Sequence, residues 1–358
     1  MKSCKVLIIG PSEADDGMSM IKYGELLSSC YESFASSVDY KSAPFLFRRV
    51  GASKWFAYLD WWVVASIYFL IISNRYQVVH FVDHSKAYLV PCAKRSRRVF
   101  VTCHDMIAIR SAYDCGDIEL TFLGKLMQKA CLAGMSSADT VFCVSKTTKR
   151  EYGKYSSKEN SELLLSSMNA EFKYTNCRVD RLKNIPYVMH VGSNLHRKNR
   201  LGIVEAFYKS QFYKGGGVLV FCGAPLSDEV MALVNKLDLQ SSVYDIGEVS
   251  FVDLERLYSG AQCLVFPSFS EGFGWPILEA QACNTAVICS DCESMPEVAG
   301  EGALLVDPFD VDDISKAIDR VTSDLSYRAL LVEKGKVNIS NYSYAVMCDV
   351  LKGNVLYD

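Results

Sequence analysis

Two glutamates eight positions apart, in a glycine-containing loop that opens a helix, are the residues of this chain best suited to chemistry. Glu271 lies in the loop and Glu279 about one turn into the helix, whose first turn contains Pro276. Gly272 and Gly274 allow a tight turn and a close approach to a ligand. Because free N–H groups at a helix start attract anions, the segment predicts a phosphate site. Carboxylates beside a phosphate suit hydroxyl donors, as on a sugar or a ribose.

The elements that must position this loop are short β-rich runs alternating with helical patterns, which indicates parallel βαβ units. In the first half the predicted strands are 5–10, 77–82, 98–103 and 140–144, and the predicted helices include 18–29, 54–72 and 120–132. In the second half the predicted strands are 187–192, 217–222, 243–246, 263–267, 286–290 and 303–306.

A polar, irregular stretch over residues 173–186 separates the two halves and predicts a domain boundary. We therefore expect an α/β protein of two doubly wound, Rossmann-like domains that face a central cleft. The N-terminal domain spans 1–180 and the C-terminal domain 181–340, and a helix over about 341–358 packs back on the first domain. In such sheets ligands bind beyond the carboxyl ends of the strands.

The composition is that of an ordinary globular protein and argues against a nucleic-acid partner. Half of the 358 residues are apolar and 22% are charged, which leaves no room for a long disordered region. The formal net charge of −3 is too near neutral for nucleic-acid binding. The 14 cysteines are irregularly spaced, as expected of reduced thiols, and Cys289 and Cys292 are interpreted as two unpaired thiols. The N-terminal apolar run is too brief for a signal peptide and favours a cytosolic protein.

A D-x-D sequence, formed by Asp310 and Asp312, is the one pattern that could indicate a metal site. Paired carboxylates of this kind are oxygen ligands of the type that manganese prefers. Here the aspartates open a predicted helix over 312–321, where they would cap free N–H groups. We favour the capping interpretation and expect no metal.

The segment from Ser270 to Ala280, S-E-G-F-G-x-P-x-x-E-A, resembles the signature of family 4 retaining glycosyltransferases of the GT-B fold. Residues 191–199 resemble the family's glycine and basic loop, and residues 247–249, with Leu254 and Tyr258, resemble the segment near the nucleotide base. His104 and Asp105 resemble the histidine motif of the N-terminal domain. The resemblance implies a hexosyltransferase that uses a nucleotide-diphosphate sugar, retains the anomeric configuration and needs no cofactor or metal.

The resemblance also implies roles for individual residues. Glu279 bonds the ribose, Glu271 and His104 bond the donor sugar, and Lys198 meets the diphosphate. We place both glutamates at a ligand site and outside the core. Arg197 is either a second cation for the diphosphate or a solvated surface charge. The remaining donor-binding candidates are Gly17, Gly192, Gly247, Val249, Gly272, Phe273 and Gly274.

The substrates implied by the resemblance are those of surface polysaccharide assembly, including lipopolysaccharide O-antigen. A GDP-mannose donor is favoured over UDP- or dTDP-sugars, and the acceptor is a glycan or a polyprenyl-diphosphate-linked sugar. Two other classes remain open, a nucleotide-sugar epimerase of the same fold and a non-catalytic glycan-binding subunit.

Residues 61–72 form a charge-free stretch of twelve residues, too short for the roughly 20 needed to span a bilayer. A buried helix packed on a sheet is the favoured interpretation. The alternative is a peripheral membrane contact at the inner face of the cytoplasmic membrane. Three tryptophans, Trp55, Trp61 and Trp62, lie in or near the stretch, and a basic cluster, Lys94, Arg95, Arg97 and Arg98, follows downstream.

Overall fold

The computed structural model describes residues 4–11, 18–42, 60–94, 96, 98–113, 118–167 and 172–356. It divides into two compact units, one of Met1–Asn169 with Tyr344–Asp358 and one of Ala170–Ser343. The division lies earlier than residue 180, where the sequence placed it. The reason is that the backbone N–H groups of Lys173 and Thr175 donate to Glu255 (2.9 Å) and Ser259 (3.1 Å), which ties this segment to the second unit.

The first unit is built on a parallel six-stranded sheet in the order β2-β1-β3-β4-β5-β6 within the described residues. The central strands consist mainly of apolar residues that are buried on both faces, as parallel sheets require. The strands are β1 (Lys5–Gly10), β2 (Ser37–Ser42), β3 (Val78–Phe81), β4 (Arg98–Cys103), β5 (Thr140–Cys143) and β6 (Ser161–Leu163).

Helices cover both faces of this sheet. They are α1 (Met18–Glu32), α2 (Ala65–Ile72), α3 (Val90–Ala93), α4 (Ile107–Ala112), α5 (Phe122–Ser137) and α6 (Lys146–Tyr155). A π-helical turn, Asp60–Val64, leads into α2, and 3₁₀ turns lie at Ser73–Arg75 and His84–Leu89.

Helix α2 departs from the expectation of a buried helix. Ala65 and Phe69 belong to the hydrophobic core of the unit, but the opposite side of the helix is open to solvent. Ile67 and Ile71 are 54% and 57% exposed. The charge-free stretch is therefore only half-buried, and it leaves an apolar surface outside.

The second unit contains another parallel sheet, in the order β12-β11-β10-β7-β8-β9. Its strands are β7 (Tyr187–Gly192), β8 (Val218–Gly223), β9 (Val243–Gly247), β10 (Cys263–Phe266), β11 (Ala286–Ser290) and β12 (Ala303–Val306). The strand order reverses beside β7 and β10, so the loops after these two strands lie at the switch point where such sheets bind ligands.

The helices of the second unit follow its strands in turn. They are α7 (Arg200–Lys209), α8 (Gln211–Lys214), α9 (Asp228–Lys236), α10 (Phe251–Gly260), α11 (Trp275–Ala282), α12 (Met295–Ala299), α13 (Val311–Ser323) and α14 (Leu325–Ile339). Further 3₁₀ turns lie at Asp180–Leu182, His196–Lys198 and Ser340–Tyr342. Helices α9 and α10 each begin at a serine whose hydroxyl accepts a backbone N–H, a strong helix start.

The last helix, α15 (Tyr344–Leu356), belongs to the first unit and packs against α1. Met347 and Leu351 are fully buried. Asn354 accepts a hydrogen bond from Arg98 at its carbonyl and donates from its side chain to Glu162 (2.7 Å). The helix therefore completes the apolar core beside α1 and is bonded to strands β4 and β6.

Candidate active site

The loop that follows β7 is fixed by two of its own side chains. Asn199 adopts a left-handed conformation (φ 53°), and its Nδ2 donates to the carbonyls of Pro267 (3.1 Å) and Pro308 (2.8 Å). Arg200 is 4% exposed and donates to the carbonyl of Gly192 (2.6 Å). The 3₁₀ turn between Gly192 and Asn199 is therefore held at both ends, and it is joined to the loops after β10 and β12.

Lys198 and Arg197, on this turn, both pair with Glu271. The Nζ of Lys198 lies 2.6 Å from one carboxylate oxygen and an Nη1 of Arg197 lies 2.5 Å from the other. Arg197 also donates to the carbonyl of Ser270 (3.0 Å), and the Lys198 ammonium lies 4.7 Å from the ring centroid of Phe266. The interpretation of Arg197 as a solvated surface charge is therefore wrong.

This ion-pair cluster is buried, which differs from the placement of Glu271 outside the core. Glu271 is 6% exposed and Lys198 is 9% exposed. Burial alone would raise the pKa of Glu271, but the charges of Lys198 and Arg197 outweigh it and lower the pKa below its usual value. Burial lowers the pKa of Lys198, and the Glu271 carboxylate offsets this only in part. The cluster holds two cations around one ionised carboxylate.

Gly192 permits the close packing beneath this cluster. A Cβ at this position would lie 3.1 Å from Nε2 of His190 and 3.4 Å from Cδ of Lys198. His190 is fully buried, donates from Nδ1 to the carbonyl of Val265 (3.0 Å), and has a pKa lowered by burial to about 3. Its ring is therefore neutral. The sequence reasoning did not single out His190, although it lies two positions before Gly192 on β7.

The loop after β10 turns sharply into α11. Gly274 has φ 101°, a conformation that disfavours a side chain, and Pro276 occupies the first helical turn as predicted. The hydroxyl of Ser294 donates to the carbonyls of Glu271 (2.8 Å) and Phe273 (3.1 Å) and so fixes the loop. The Phe273 ring is buried against Tyr342, so this residue offers a ligand its backbone and not its ring.

Glu279 is half-buried on α11 and accepts a hydrogen bond from the hydroxyl of Tyr258 on α10 (2.8 Å). Tyr258 is fully buried, and both burial and the Glu279 carboxylate raise its pKa well above the usual value. The phenol therefore keeps its proton and orients the carboxylate. Gly247 ends β9 with φ 73°, and Val249 lies half-buried two residues later.

In the first unit, His104 follows β4 at the carboxyl edge of its sheet. Its Nε2 donates to the carbonyl of Val82 (2.9 Å), because a carbonyl can only accept. The other nitrogen, Nδ1, then carries a lone pair and has no hydrogen-bond partner in the described part of the chain. Burial lowers the pKa of His104, which favours the neutral ring. Asp105 accepts from the N–H of Ile107 (3.0 Å), the first residue of α4.

A second histidine and aspartate lie after β3, the strand beside β4. His84 Nδ1 lies 3.0 Å from a carboxylate oxygen of Asp83. Burial opposes the charge of His84, but the Asp83 carboxylate raises its pKa to about 9. The sequence reasoning missed this pair, although D-H after β3 mirrors H-D after β4. Gly17, a donor-binding candidate, lies outside the described residues.

The D-x-D aspartates have structural partners. Asp310 accepts from the N–H groups of Asp312 (2.8 Å) and Asp313 (3.2 Å), which confirms the predicted helix cap. Asp312 pairs with Lys209 at 2.7 Å on the surface. Among the described residues no group of three or more histidine, cysteine, aspartate or glutamate side chains is placed to hold a metal ion.

Two family descriptions match this chain, one in each half. Residues 34–162 match "Glycosyltransferase Family 4", and residues 178–337 match "Glycosyl transferases group 1". This chain is a family 4 glycosyltransferase. The predicted resemblance is confirmed, and with it the retaining class of the family.

The relatives of this family 4 glycosyltransferase include bacterial O-antigen enzymes at modest identity. It is 27% identical to the O-antigen chain mannosyltransferase B of Escherichia coli over 276 residues, which cover 74% of this chain and 71% of the relative. It is 38% identical to the O-antigen chain mannosyltransferase RfbU of Salmonella typhimurium over 140 residues, 38% of each chain. Against a third relative, the serotype-specific mannosyltransferase WbdA of Escherichia coli, it spans 35% of that protein's length.

Solved structures confirm the fold of the family 4 glycosyltransferase over its whole length. Anabaena HepE, in complex with UDP and glucose, aligns with a TM-score of 0.77 and 13% identity, covering 99% of this chain and all of HepE. WaaG, a glycosyltransferase involved in lipopolysaccharide biosynthesis, aligns with a TM-score of 0.74 and 13% identity over the same shares. The predicted GT-B fold of two doubly wound domains is confirmed.

Proposed function

We propose that this family 4 glycosyltransferase moves a hexose from a nucleotide-diphosphate sugar to a glycan or a polyprenyl-diphosphate-linked acceptor in polysaccharide biosynthesis. The observation that carries the proposal is the buried cluster in which Lys198 and Arg197 flank Glu271. Two cations fixed before the reaction suit a leaving group that gains negative charge in the transition state. Mannose is the favoured sugar because relatives of this chain are O-antigen mannosyltransferases. GDP-mannose is accordingly the favoured donor, and UDP- and dTDP-sugars are the alternatives.

In the proposed reaction the bond between the anomeric carbon and the diphosphate oxygen breaks, and its electron pair stays on that oxygen. The acceptor hydroxyl forms the new bond on the same face of the sugar, and its proton passes to the departing phosphate. Lys198 and the backbone N–H groups of Phe273 and Gly274, in the loop that leads into α11, meet the charge on the diphosphate. No protein carboxylate is needed as a covalent nucleophile.

The two glutamates hold hydroxyl groups in this proposal. A carboxylate has about four lone-pair positions, and Lys198 and Arg197 occupy two of those on Glu271, so two remain for hydroxyls of the donor sugar. On Glu279, Tyr258 occupies one position and orients the group toward the ribose. In the first unit, the lone pair on Nδ1 of His104 can accept a hydrogen bond from a substrate hydroxyl.

A donor and acceptor screen tests the proposed function. The purified protein is incubated with GDP-mannose and with UDP- and dTDP-sugars, with and without a polyprenyl-diphosphate-linked acceptor, and products are followed by mass spectrometry. Free nucleotide diphosphate released only with acceptor supports transfer. Conversion of the donor sugar without acceptor would identify an epimerase, and binding without turnover would identify a glycan-binding subunit.

We expect transfer to continue in the presence of a strong chelator. Asp310 is engaged as a helix cap and Asp312 in a pair with Lys209, so neither carboxylate is reserved for manganese. The measurement is initial rate with and without EDTA after removal of divalent ions. Loss of activity in EDTA that manganese restores would contradict this expectation.

We also propose that an apolar surface of the first unit brings the enzyme to an anionic membrane, at the inner face of the cytoplasmic membrane, where a lipid-linked acceptor is held. This surface, which we call the outer helical face, comprises the exposed side chains of two helical runs that both contact the 3₁₀ turn His84–Leu89. They are Trp62, Val63, Ile67, Leu70 and Ile71 on the helical run ending with α2, and Phe122, Leu123 and Leu126 on α5. The same elements with their adjoining 3₁₀ turns carry four basic residues, Arg75, Lys86, Lys125 and Lys129. Their one acidic residue, Asp60, is buried. No described helix is long and apolar enough to cross the bilayer.

The outer helical face predicts binding to vesicles that contain phosphatidylglycerol. Each basic residue near an anionic surface adds about 1 kcal/mol, and this attraction is screened within about 10 Å at 0.1 M salt, so binding should weaken as salt rises. The double variant Ile71→Ser with Phe122→Ser should sediment less with vesicles, whereas Val337→Ser, equally exposed on the second unit, should not change. If the wild-type protein does not bind these vesicles at low salt, the proposal is contradicted.

Two residues of the original basic cluster are poor choices for this test. Arg98 donates to the carbonyl of Asn354 on α15, so its reversal to glutamate would disturb packing inside the unit. Arg97 lies outside the described residues. The apolar variants leave that packing intact, and transfer to a soluble acceptor analogue should stay at the wild-type rate.

A further inference from the structure

The second unit contains a cavity that the proposed donor chemistry does not use. Its volume is about 320 Å³, and it lies between the loop after β7 and the first turns of α7, α9 and α13. Neither Lys198, Glu271 nor Glu279 lines it. The residues that matter for its chemistry are Arg200, Glu205, Glu229, Phe269 and Phe309.

Three aromatic rings are stacked in a column at this cavity. His196 stacks on Phe269 with ring centroids 5.3 Å apart and planes 30° apart. Phe269 stacks in turn on Phe309 at 4.8 Å and 19°. Phe309 ends the column with 73% of its surface exposed, although it is a large apolar side chain. A flat apolar ring in a cavity wall provides a surface on which the C–H face of a sugar ring can pack.

The column is held rigidly because its three loops are bonded together. Asn199 donates to the carbonyl of Pro267, two residues before Phe269 in the loop after β10. It also donates to the carbonyl of Pro308, which directly precedes Phe309 in the loop after β12. A platform of this kind costs little conformational entropy when a ligand binds, since its rings are already ordered.

The polar groups of the cavity favour a neutral ligand. Glu205 and Glu229 are exposed carboxylates that accept hydrogen bonds from hydroxyls and repel phosphate groups. The guanidinium of Arg200 is taken up within the protein, because its Nη1 donates to Asn194 (2.6 Å) and to the carbonyl of Ala224 (2.9 Å), and its Nη2 donates to the carbonyl of Gly192 (2.6 Å).

We propose that this cavity is a second saccharide site, which binds neutral sugar units of the glycan acceptor while the reacting hydroxyl is held elsewhere. The inference rests on the proposed function for the identity of the glycan. It assigns Phe309 as the stacking platform and Glu205 as a hydroxyl acceptor. The site lies directly beside the loop that carries Lys198, because Leu195, His196, Asn199 and Arg200 all line the cavity.

The test measures binding of mannotetraose to the full chain by isothermal titration calorimetry, without donor. The expected result is binding that weakens at least tenfold in Phe309→Ala and less in Glu205→Gln. The matched control is Leu325→Ala, an exposed apolar residue (64%) of the same unit that does not line the cavity. Melting curves verify that each variant is folded. Mannotetraose binding that UDP and GDP leave unchanged supports a separate site.

Transfer assays then separate this inference from the proposed function. Phe309→Ala should raise KM for a long glycan acceptor and leave transfer to a single-sugar lipid acceptor unchanged. If the wild type transfers mannose but does not bind mannotetraose, or if Phe309→Ala binds it as tightly as the wild type, the second site is wrong and the function stands. Competition by UDP or GDP would also overturn the second site. If mannotetraose binds and no donor supports transfer, the proposed function is wrong and the site stands.

Discussion

Lys198→Met should lower the rate of transfer by about 100- to 1,000-fold, the cost of removing one fixed charge-stabilising group from an active site. Methionine has a similar length and no charge, so the side chain can still occupy the space above Phe266. The proposed role of Lys198 is to meet charge that develops on the diphosphate, so kcat should fall more than the donor affinity. Steady-state kinetics over donor concentration provide the measurement.

Lys209→Met is the matched control, because Lys209 pairs with Asp312 on the surface of the same unit. The Lys209→Met variant should transfer at the wild-type rate.

Burial lowers the pKa of Lys198, so its charge is lost at a lower pH than for an ordinary lysine. Wild-type activity should therefore decline on the alkaline side before free lysines titrate, and Lys198→Arg should move that decline to higher pH. Equal rates in Lys198→Met and the wild type would remove Lys198 from the mechanism.

Glu279→Gln should raise KM for the donor by about 10- to 100-fold, because a hydrogen bond to a charged group contributes about 1.5–3 kcal/mol. The amide oxygen can still accept from Tyr258, so the fold should hold and the melting temperature should change little. Glu333→Gln is the control, since Glu333 is an exposed residue paired with Lys336 in the same unit. Nucleotide titration by fluorescence or calorimetry reports the donor affinity. Unchanged donor affinity in Glu279→Gln would contradict a ribose contact.

The central strands could be predicted from the sequence because they are apolar on both faces, whereas the two edge strands of the first sheet could not. Strand β2, with the sequence SVDYKS, is mostly exposed, and β6 is a three-residue strand, SEL. Each pairs with a neighbour on one side alone and lacks the apolar residues that made the edge strands β9 (VYDIG) and β12 (ALLV) of the second sheet predictable. These segments form strands because they hydrogen-bond to the neighbouring strand of the sheet, and not because of their own composition.

At the candidate site, the sequence singled out the two loops that the fold brings together, but it did not predict how their side chains pair. The Lys198–Glu271 pair joins loops 73 residues apart, so neither its burial nor its geometry follows from local spacing. Tyr258 was assigned to the segment near the base, and its bond to Glu279 became visible only in the fold. Asp83 and His84 could have been identified from the sequence, because they follow strand β3 in the same way that His104 and Asp105 follow strand β4.

Helix α15 makes the order of synthesis important for this protein. Domains usually fold from the N-terminus onward as the chain leaves the ribosome. Here the first unit lacks Met347 and Leu351 of its core until α15 has been made, while the second unit lies wholly before that helix. The second unit can therefore finish folding first. Until α15 has been synthesised, the apolar side of α1 has no helix to pack against it. A nascent chain stalled before residue 344 should expose that side to chaperones, and release of the last helix should end the interaction.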